Sequence, residues 1–297
     1  MVVSGTFHLV GYGWNSDRFV LRLRSWPNGD IVEEIDPQGF LRFRRLEERQ
    51  CAGFYDFERK RRFTCPERTV SKKKQCEACL EREGFLAWMR SDGYDIPALK
   101  PAVRSYIEGE HFLYLACFGD ETVKVGMASA ARKTQRLLDQ GPLSAIYVAK
   151  ADGIAIRRLE VEVSQFGYSE FMRRSRKFKL LSEAMSVQDG HKLLAQSLRD
   201  IKMRVSEEFH SHFLAEPESF ISPPAAVVAR SFHRLEECDP SEGKIVEGEV
   251  VAASGSILIL NDAGVRYGFD VGEWVSHVFE FDPKGKVERE AKQIGLF

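Results

Sequence analysis

Four cysteines, Cys51, Cys65, Cys76 and Cys79, fall within 29 residues of one another. The last two form a Cys-x2-Cys knuckle, which puts two thiolates on one tight turn beside amides able to hydrogen-bond sulfur. Two more thiolates arriving from upstream complete a soft, tetrahedral shell suited to zinc. Four protein ligands leave no open position, so the expected Zn2+ is structural. Residues 49–84 are too polar to form a core unaided, and a metal would replace it. Between the ligands stand Arg59, Arg61, Arg62, Lys72, Lys73 and Lys74, a surface suited to phosphates.

A second group lies in the stretch FLYLACFGDETVKVGMASAARKTQRLLDQG, residues 112–141. It reads as two strands joined by a Gly-Asp-Glu turn and followed by a basic helix. Ser129 is the expected N-cap, and Gly141 with Pro142 the stop. Arg132 and Arg136, at i and i+4, share one face of that helix. A strand over 145–149 follows, then a helix over 154–166 with Ile156, Leu159, Val163 and Phe166 on its apolar side. Glu160 and Glu162 flank that stripe equally, and periodicity does not choose between them.

The elements that must carry these residues divide the chain of 297 residues into five stretches. Residues 1–48 alternate apolar and basic residues with period two, an antiparallel sheet with Arg22, Arg24, Arg42 and Arg44 on its outer face. Residues 49–84 are the zinc module, 105–170 the central domain, and 171–215 a basic helical region containing Arg173 and Arg174. Residues 85–108 read as a short helix and a Pro-containing connection, and 214–243 as a loop. From 243 to 297 short strands broken by glycine suggest a small barrel or an extension of the first sheet.

The net charge is −1, unevenly spread. Residues 41–80 hold 12 Lys/Arg against 6 Asp/Glu, residues 171–204 hold 9 against 3, and residues 231–297 hold 7 against 13. Two basic blocks in the middle point to a polyanionic partner, nucleic acid. No apolar run approaches the roughly 20 residues of a membrane span. The N-terminus lacks the basic and apolar regions of a signal peptide, so a cytoplasmic location is expected.

The central stretch resembles the GIY-YIG nuclease superfamily. Leu113-Tyr114 stands for its first motif, Lys124-Val125-Gly126 for its second, Arg136 for its arginine and Glu160 for its glutamate. More narrowly, the upstream cysteines with YLACFG, KVG and RLLDQG resemble a bacterial and archaeal family catalogued only as a domain of unknown function. The resemblance covers roughly residues 50–170. It implies a small antiparallel sheet flanked by helices. It also implies a site in which Tyr114 helps activate water, Arg136 neutralises phosphate charge and Glu160 holds Mg2+ or Mn2+. The second tyrosine of the pattern is replaced by Lys124. A lysine binds phosphate as a point charge, but it transfers protons like a phenol only if its pKa is well depressed.

The expectation is therefore an α+β, nucleic-acid-interacting zinc protein, with divalent-metal-dependent phosphodiester cleavage as its candidate activity. The alternatives are a non-catalytic phosphate or nucleic-acid binding module and an enzyme acting on a small molecule.

Overall fold

The computed structural model describes residues 4–29, 31–70, 73–182, 185–232, 235–238 and 245–281, except the side chains of residues 47, 48 and 174. Lys72, the side chain of Arg174 and residues 282–297 of the C-terminal stretch therefore lie outside the described residues. The chain is α+β. It begins with β1 (Gly5–Asn15), β2 (Arg18–Ser25), β3 (Val32–Ile35) and β4 (Gly39–Arg49). A small unit follows, with β5 (Phe54–Asp56), β6 (Arg61–Phe63) and α1 (Glu77–Glu83), then α2 (Leu86–Met89) and α3 (Pro101–Glu108). The central elements are β7 (Glu110–Cys117), β8 (Val123–Ser129), α4 (Lys133–Leu138), β9 (Ser144–Asp152) and α5 (Gly153–Gln165). After them come α6 (Arg174–Leu180), α7 (Val187–Arg204), β10 (Phe213–Ser219) and α8 (Pro224–Arg230). The last are β11 (Glu236–Glu237), β12 (Ile245–Ser254), β13 (Ile257–Asp262), β14 (Val265–Asp270), α9 (Val271–Trp274) and β15 (His277–Phe281).

The two terminal β stretches hydrogen-bond into one sheet, ordered β11-β14-β13-β12-β4-β15-β1-β2-β3 among the described residues. β4 is the seam, pairing with β12 on one side and β15 on the other. The sheet curls: Leu9 and Leu21 near one end line the same apolar cavity as Leu258 and Phe269 near the other. Phe269 and Trp274 stack there at 4.2 Å, with the ring of Phe43 edge-on to both.

A basic outer face is not what the first strands build. Arg24 is buried, donating to His8 Nδ1 (2.8 Å) and Gln50 Oε1 (2.6 Å). Arg22 pairs with Glu34, Arg42 with Glu247 and Arg44 with Glu280. Alternation identified the strands. It could not anticipate that cross-strand acids would pair with three of the arginines and that a buried histidine would accept a hydrogen bond from the fourth.

The central sheet is antiparallel, ordered β10-β9-β7-β8. Period two gives it two faces. On one, Leu113, Leu115, Val125 and Val148 pack against Ile156, Leu159 and Val163 of α5 and Leu194, Leu198 and Ile201 of α7. On the other, Phe112, Tyr114, Ala116 and Tyr147 join Leu137 and Leu138 of α4 and the core of the large sheet. The second face is thus an internal boundary between the two sheets. Two glycines set the separation there. A Cβ on Gly141 (φ +64) would lie 2.4 Å from the amide nitrogen of Gly255 (φ +62), whose carbonyl accepts from Trp14 Nε1 at 3.0 Å.

Several elements depart from the sequence reading, three of them at prolines. α3 starts with Pro101 at its first turn, where the missing N–H costs no hydrogen bond. β10 tolerates Pro217 because it is an edge strand, bonded only to β9. α8 begins at Pro224 in the same way as α3. Among the described residues, no helix is long and apolar enough to cross a membrane.

Candidate functional site

The cysteine sulfurs of Cys51, Cys65, Cys76 and Cys79 all lie within 4.8 Å of one another. Cys51 follows β4, Cys65 follows β6, Cys76 precedes α1 and Cys79 lies in its first turn. The amides of Gly53 (3.4 Å) and Cys76 (3.2 Å) both point at Cys51 Sγ. The hydrophobic cluster of this unit is little more than the cysteines with Phe54. Burial pushes the Cys51 and Cys79 thiols up. At Cys65 burial acts the same way, but the amides of Thr69 and Glu67 together with the side chains of Cys79 and Thr69 outweigh it and hold the thiol at about 7. The donor set therefore fits a four-thiolate metal ion such as zinc, which would displace those protons and close the shell.

The basic residues around this centre diverge. Arg59 and Arg61 are exposed and lie over the ring of Phe63, at 5.5 and 4.4 Å. Lys73 and Lys74 are exposed. Arg62 is exposed, and the charges of Glu83, Arg22 and Arg132 all act on it. Arg173 is exposed at the start of α6.

Register decides the geometry of the cleft. Tyr114 pairs with Gly126, and Ala116 with Lys124, so Tyr114 and Lys124 project from the same face of the β7–β8 hairpin. Gly126 leaves room for the tyrosine: a Cβ there would fall 2.3 Å from Tyr114 Oη. Tyr114 has no exposed surface. Its phenol accepts from Gln140 Nε2 at 2.5 Å, and burial raises its pKa against the lowering influence of Arg136 beside it. Arg136 itself is exposed. Lys124 is only 7% exposed and donates to the carbonyls of Glu170 and Val125. Burial, reinforced by Arg136, pushes its pKa down to about 8, against the pull of Glu160 and Glu170.

The structure thus brings Tyr114, Lys124, Arg136 and Glu160 into one neighbourhood. The fourth is engaged differently from the metal ligand that the resemblance implies. Glu160 is 6% exposed, and its Oε2 takes a hydrogen bond of 2.6 Å from Arg157, whose Nη1 also reaches Glu170 at 3.2 Å. Burial raises the Glu160 carboxyl, with Arg157 and Lys124 opposing. With a guanidinium held between the two carboxylates and an ammonium beside them, Mg2+ or Mn2+ does not fit. Glu162, the other choice left by periodicity, instead accepts from the amide of Ser206.

Several residues here escaped sequence reading. Lys177 of α6 is half-buried, donates to the carbonyl of Gln140 at 3.0 Å and sits 4.9 Å from the ring of Phe118. Burial and the charge of Lys124 push it down to about 8. Tyr12 of β1 and Asp139 after α4 close the other side. Burial and Asp139 raise the tyrosine to about 12. Gln140 stood in the quoted RLLDQG stretch, but nothing local distinguished its role. Lys177 is one of several cations in a basic helix.

Gly126 provides a direct check of this packing. Gly126→Ala forces the Tyr114 ring out of place, and overpacking of that kind costs about 1–3 kcal/mol. Calorimetry is expected to show a melting temperature lower by several degrees. An unchanged melt would mean that the ring has a second resting place.

Residues 103–278 match the profile of a family described as Protein of unknown function (DUF2797). The match runs from α3 to β15 and leaves out β1–β4 and the cysteine centre. No curated protein and no solved structure matches the chain.

Proposed function

We propose a function for this chain, which belongs to the DUF2797 family, from the chemistry of its cleft. It is a zinc-braced nucleic-acid-binding protein, and its cleft, GIY-YIG-like in layout, grips a phosphate. The observation that carries this reading is the gathering of Lys124, Lys177 and Arg136 around Tyr114, beside carboxylates that each have another partner. Asp139 is bonded by Arg132 (3.1 Å) and Gln135 (2.7 Å), Glu160 and Glu170 share Arg157, and Asp270 accepts from the amide of Gly272 (2.7 Å). Around the cysteine centre, exposed Arg59, Arg61, Lys73 and Lys74 offer a second group of cations. A strand reaching both would meet cations at each.

Binding fits this arrangement better than cleavage. Tyr114 has no surface to offer a substrate and holds Arg136 instead, while Glu160 is tied to Arg157. The depressed Lys124 does meet the condition for accepting a proton near pH 8, so the binding test includes an activity arm.

Titrations with single- and double-stranded DNA and RNA at two salt concentrations test the reading. With four phosphate contacts, affinity is expected to fall roughly a hundredfold for a fourfold rise in salt. Arg136→Ala removes a charged hydrogen bond worth roughly 1.5–3 kcal/mol, whereas Arg132→Ala costs less because Asp139 already neutralises that side chain. No binding at low salt to any of the four would overturn the reading. Magnesium-dependent cleavage abolished by Glu160→Ala would replace it with a nuclease.

A further inference from the structure

Between α5 and α6 the chain runs along the edge strand β8 and presents one ring to solvent. Ser169 lies against that strand: its amide donates to the carbonyl of Val123, and its carbonyl accepts from the amide of Val125. Before it, Tyr168 is tied to α7 by hydrogen bonds to Asp200 (3.0 Å) and to the carbonyl of Ser197 (3.3 Å). After it, Met172 packs against the core of the large sheet. Between these anchors Phe171 is 83% exposed, more than any other described phenylalanine, tyrosine or tryptophan. Ser169 Oγ accepts from the Phe171 amide (3.2 Å) and donates to its carbonyl (2.5 Å). A backbone fixed at so many points holds the ring outward.

A single exposed apolar side chain is ordinary on a protein surface. Two features set this one apart. The first is that its faces are bare. Several accessible rings elsewhere carry a cation over them, Arg158 over Tyr94 (4.8 Å), Arg204 over Phe166 (4.3 Å) and Lys202 over Phe213 (5.3 Å) among them. Among the described residues, Phe171 has neither a cation over its face nor a ring beside it. The second is its place in the chain. The carbonyl of Glu170, one residue before it, is the one to which Lys124 donates, and the Glu170 carboxylate is engaged by Arg157 at 3.2 Å. Two residues after it stands exposed Arg173, at the start of the helix that carries Lys177. Cation, ring and cation in succession match the phosphates and bases of an extended strand.

We propose that Phe171 is a stacking platform for an unpaired nucleobase, which makes single-stranded nucleic acid the ligand of the phosphate-binding group beside it. This rests on the reading of that group as a phosphate site. A ring projecting from a fixed backbone offers its face to a base, whereas the bases of a duplex are already stacked on one another. The discrimination is by strand state and not by sequence, since every base has a face to stack. Phe171 brings no charge, so its share of the binding does not change with salt, while that of Lys124, Lys177 and Arg136 does.

The experiment measures binding of the full chain at low salt to a short oligothymidylate, to the same strand annealed to its complement, and to a strand of equal length and charge built from stable abasic sugars. Wild type is expected to bind the oligothymidylate roughly tenfold tighter than the abasic strand. Phe171→Ala is expected to lose that advantage while binding the abasic strand and the duplex as before and keeping the salt dependence. Phe171→Trp is expected to retain the advantage. Because the side chain is exposed, neither substitution opens the core, and both variants are expected to melt with the wild type. If wild type binds the base-bearing and abasic strands equally, stacking is wrong while the phosphate reading stands. If Phe171→Ala weakens all three ligands alike, the ring supports the site instead of meeting a base, and the proposal fails. If no strand binds, both readings fall and the bare ring is left to a protein partner.

Discussion

Protein purified without added metal is expected to carry one zinc per chain, and Cys79→Ser to lose it together with the fold of residues 49–84. The reason is the composition of that unit. Its cluster consists of the cysteines and Phe54, with one stacked pair, Phe54 and Phe63, beside it. Structural zinc contributes about 10–16 kcal/mol of apparent binding free energy in small domains, far more than two rings supply. The damage does not stop at the module. Gln50 donates to the carbonyl of Arg68 and accepts from Arg24, and Arg68 donates to Pro27 O and Asn28 Oδ1. Losing the metal therefore loosens the β2–β3 end of the large sheet. Elemental analysis gives the stoichiometry, and limited proteolysis with a thermal melt gives the structural consequence. Metal-free protein with an unchanged melt and no new cleavage between 49 and 84 would rule out a structural metal.

Lys124→Met is expected to stabilise the protein while weakening the proposed phosphate binding. An unfolded lysine titrates near 10.5, and this one near 8 when folded. Below pH 8 both states are protonated, and the folded state bears the full cost of a buried charge that Glu160 and Glu170 only partly offset. That cost is roughly 3 kcal/mol at about 1.4 kcal/mol per unit. Between pH 8 and 10.5 the folded state has released the proton and the unfolded state has not, so stability rises with pH. Above that range the cost is gone. Methionine fills similar space without the charge, and replacing buried charge by apolar groups often gains about 1–4 kcal/mol. Calorimetry at pH 7 is expected to find the variant melting several degrees higher, with the gap narrowing by pH 9.5. A variant that melts lower at both pH values would mark Lys124 as a structural hydrogen-bond donor rather than a strained cation.

How much of this was legible beforehand depended on whether the signal was local. The cysteine spacing carries its own chemistry, and the four sulfurs do converge. Tyr114 and Lys124 could be read onto one hairpin because period two and a short turn fix the register between them. Arg24 could not be read, since its burial rests on hydrogen bonds to His8 and Gln50, partners 16 and 26 residues away. The seam in which β12 pairs with β4 joins stretches some 200 residues apart, and strand order leaves no local trace. Lys177 and Tyr12 were invisible for the same reason: each became a cleft residue only when α6 and β1 were laid against α4. The engagement of Glu160 by Arg157, three residues earlier on the same helix, was open to reading as an i,i+3 pair.

The backbone contact between Gly141 and Gly255 has a bearing on rates. Because no side chain intervenes there, the central sheet and the large sheet meet main chain to main chain, and Arg230 adds a hydrogen bond to Gly141 O at 2.9 Å. Two bodies joined in this way have little freedom to hinge, so the groups gathered around Tyr114 are preorganised. A ligand binding among them gives up its own entropy but need not order the protein. Association is then governed by diffusion and by the positive field around them, and it slows with added salt rather than with a closure step.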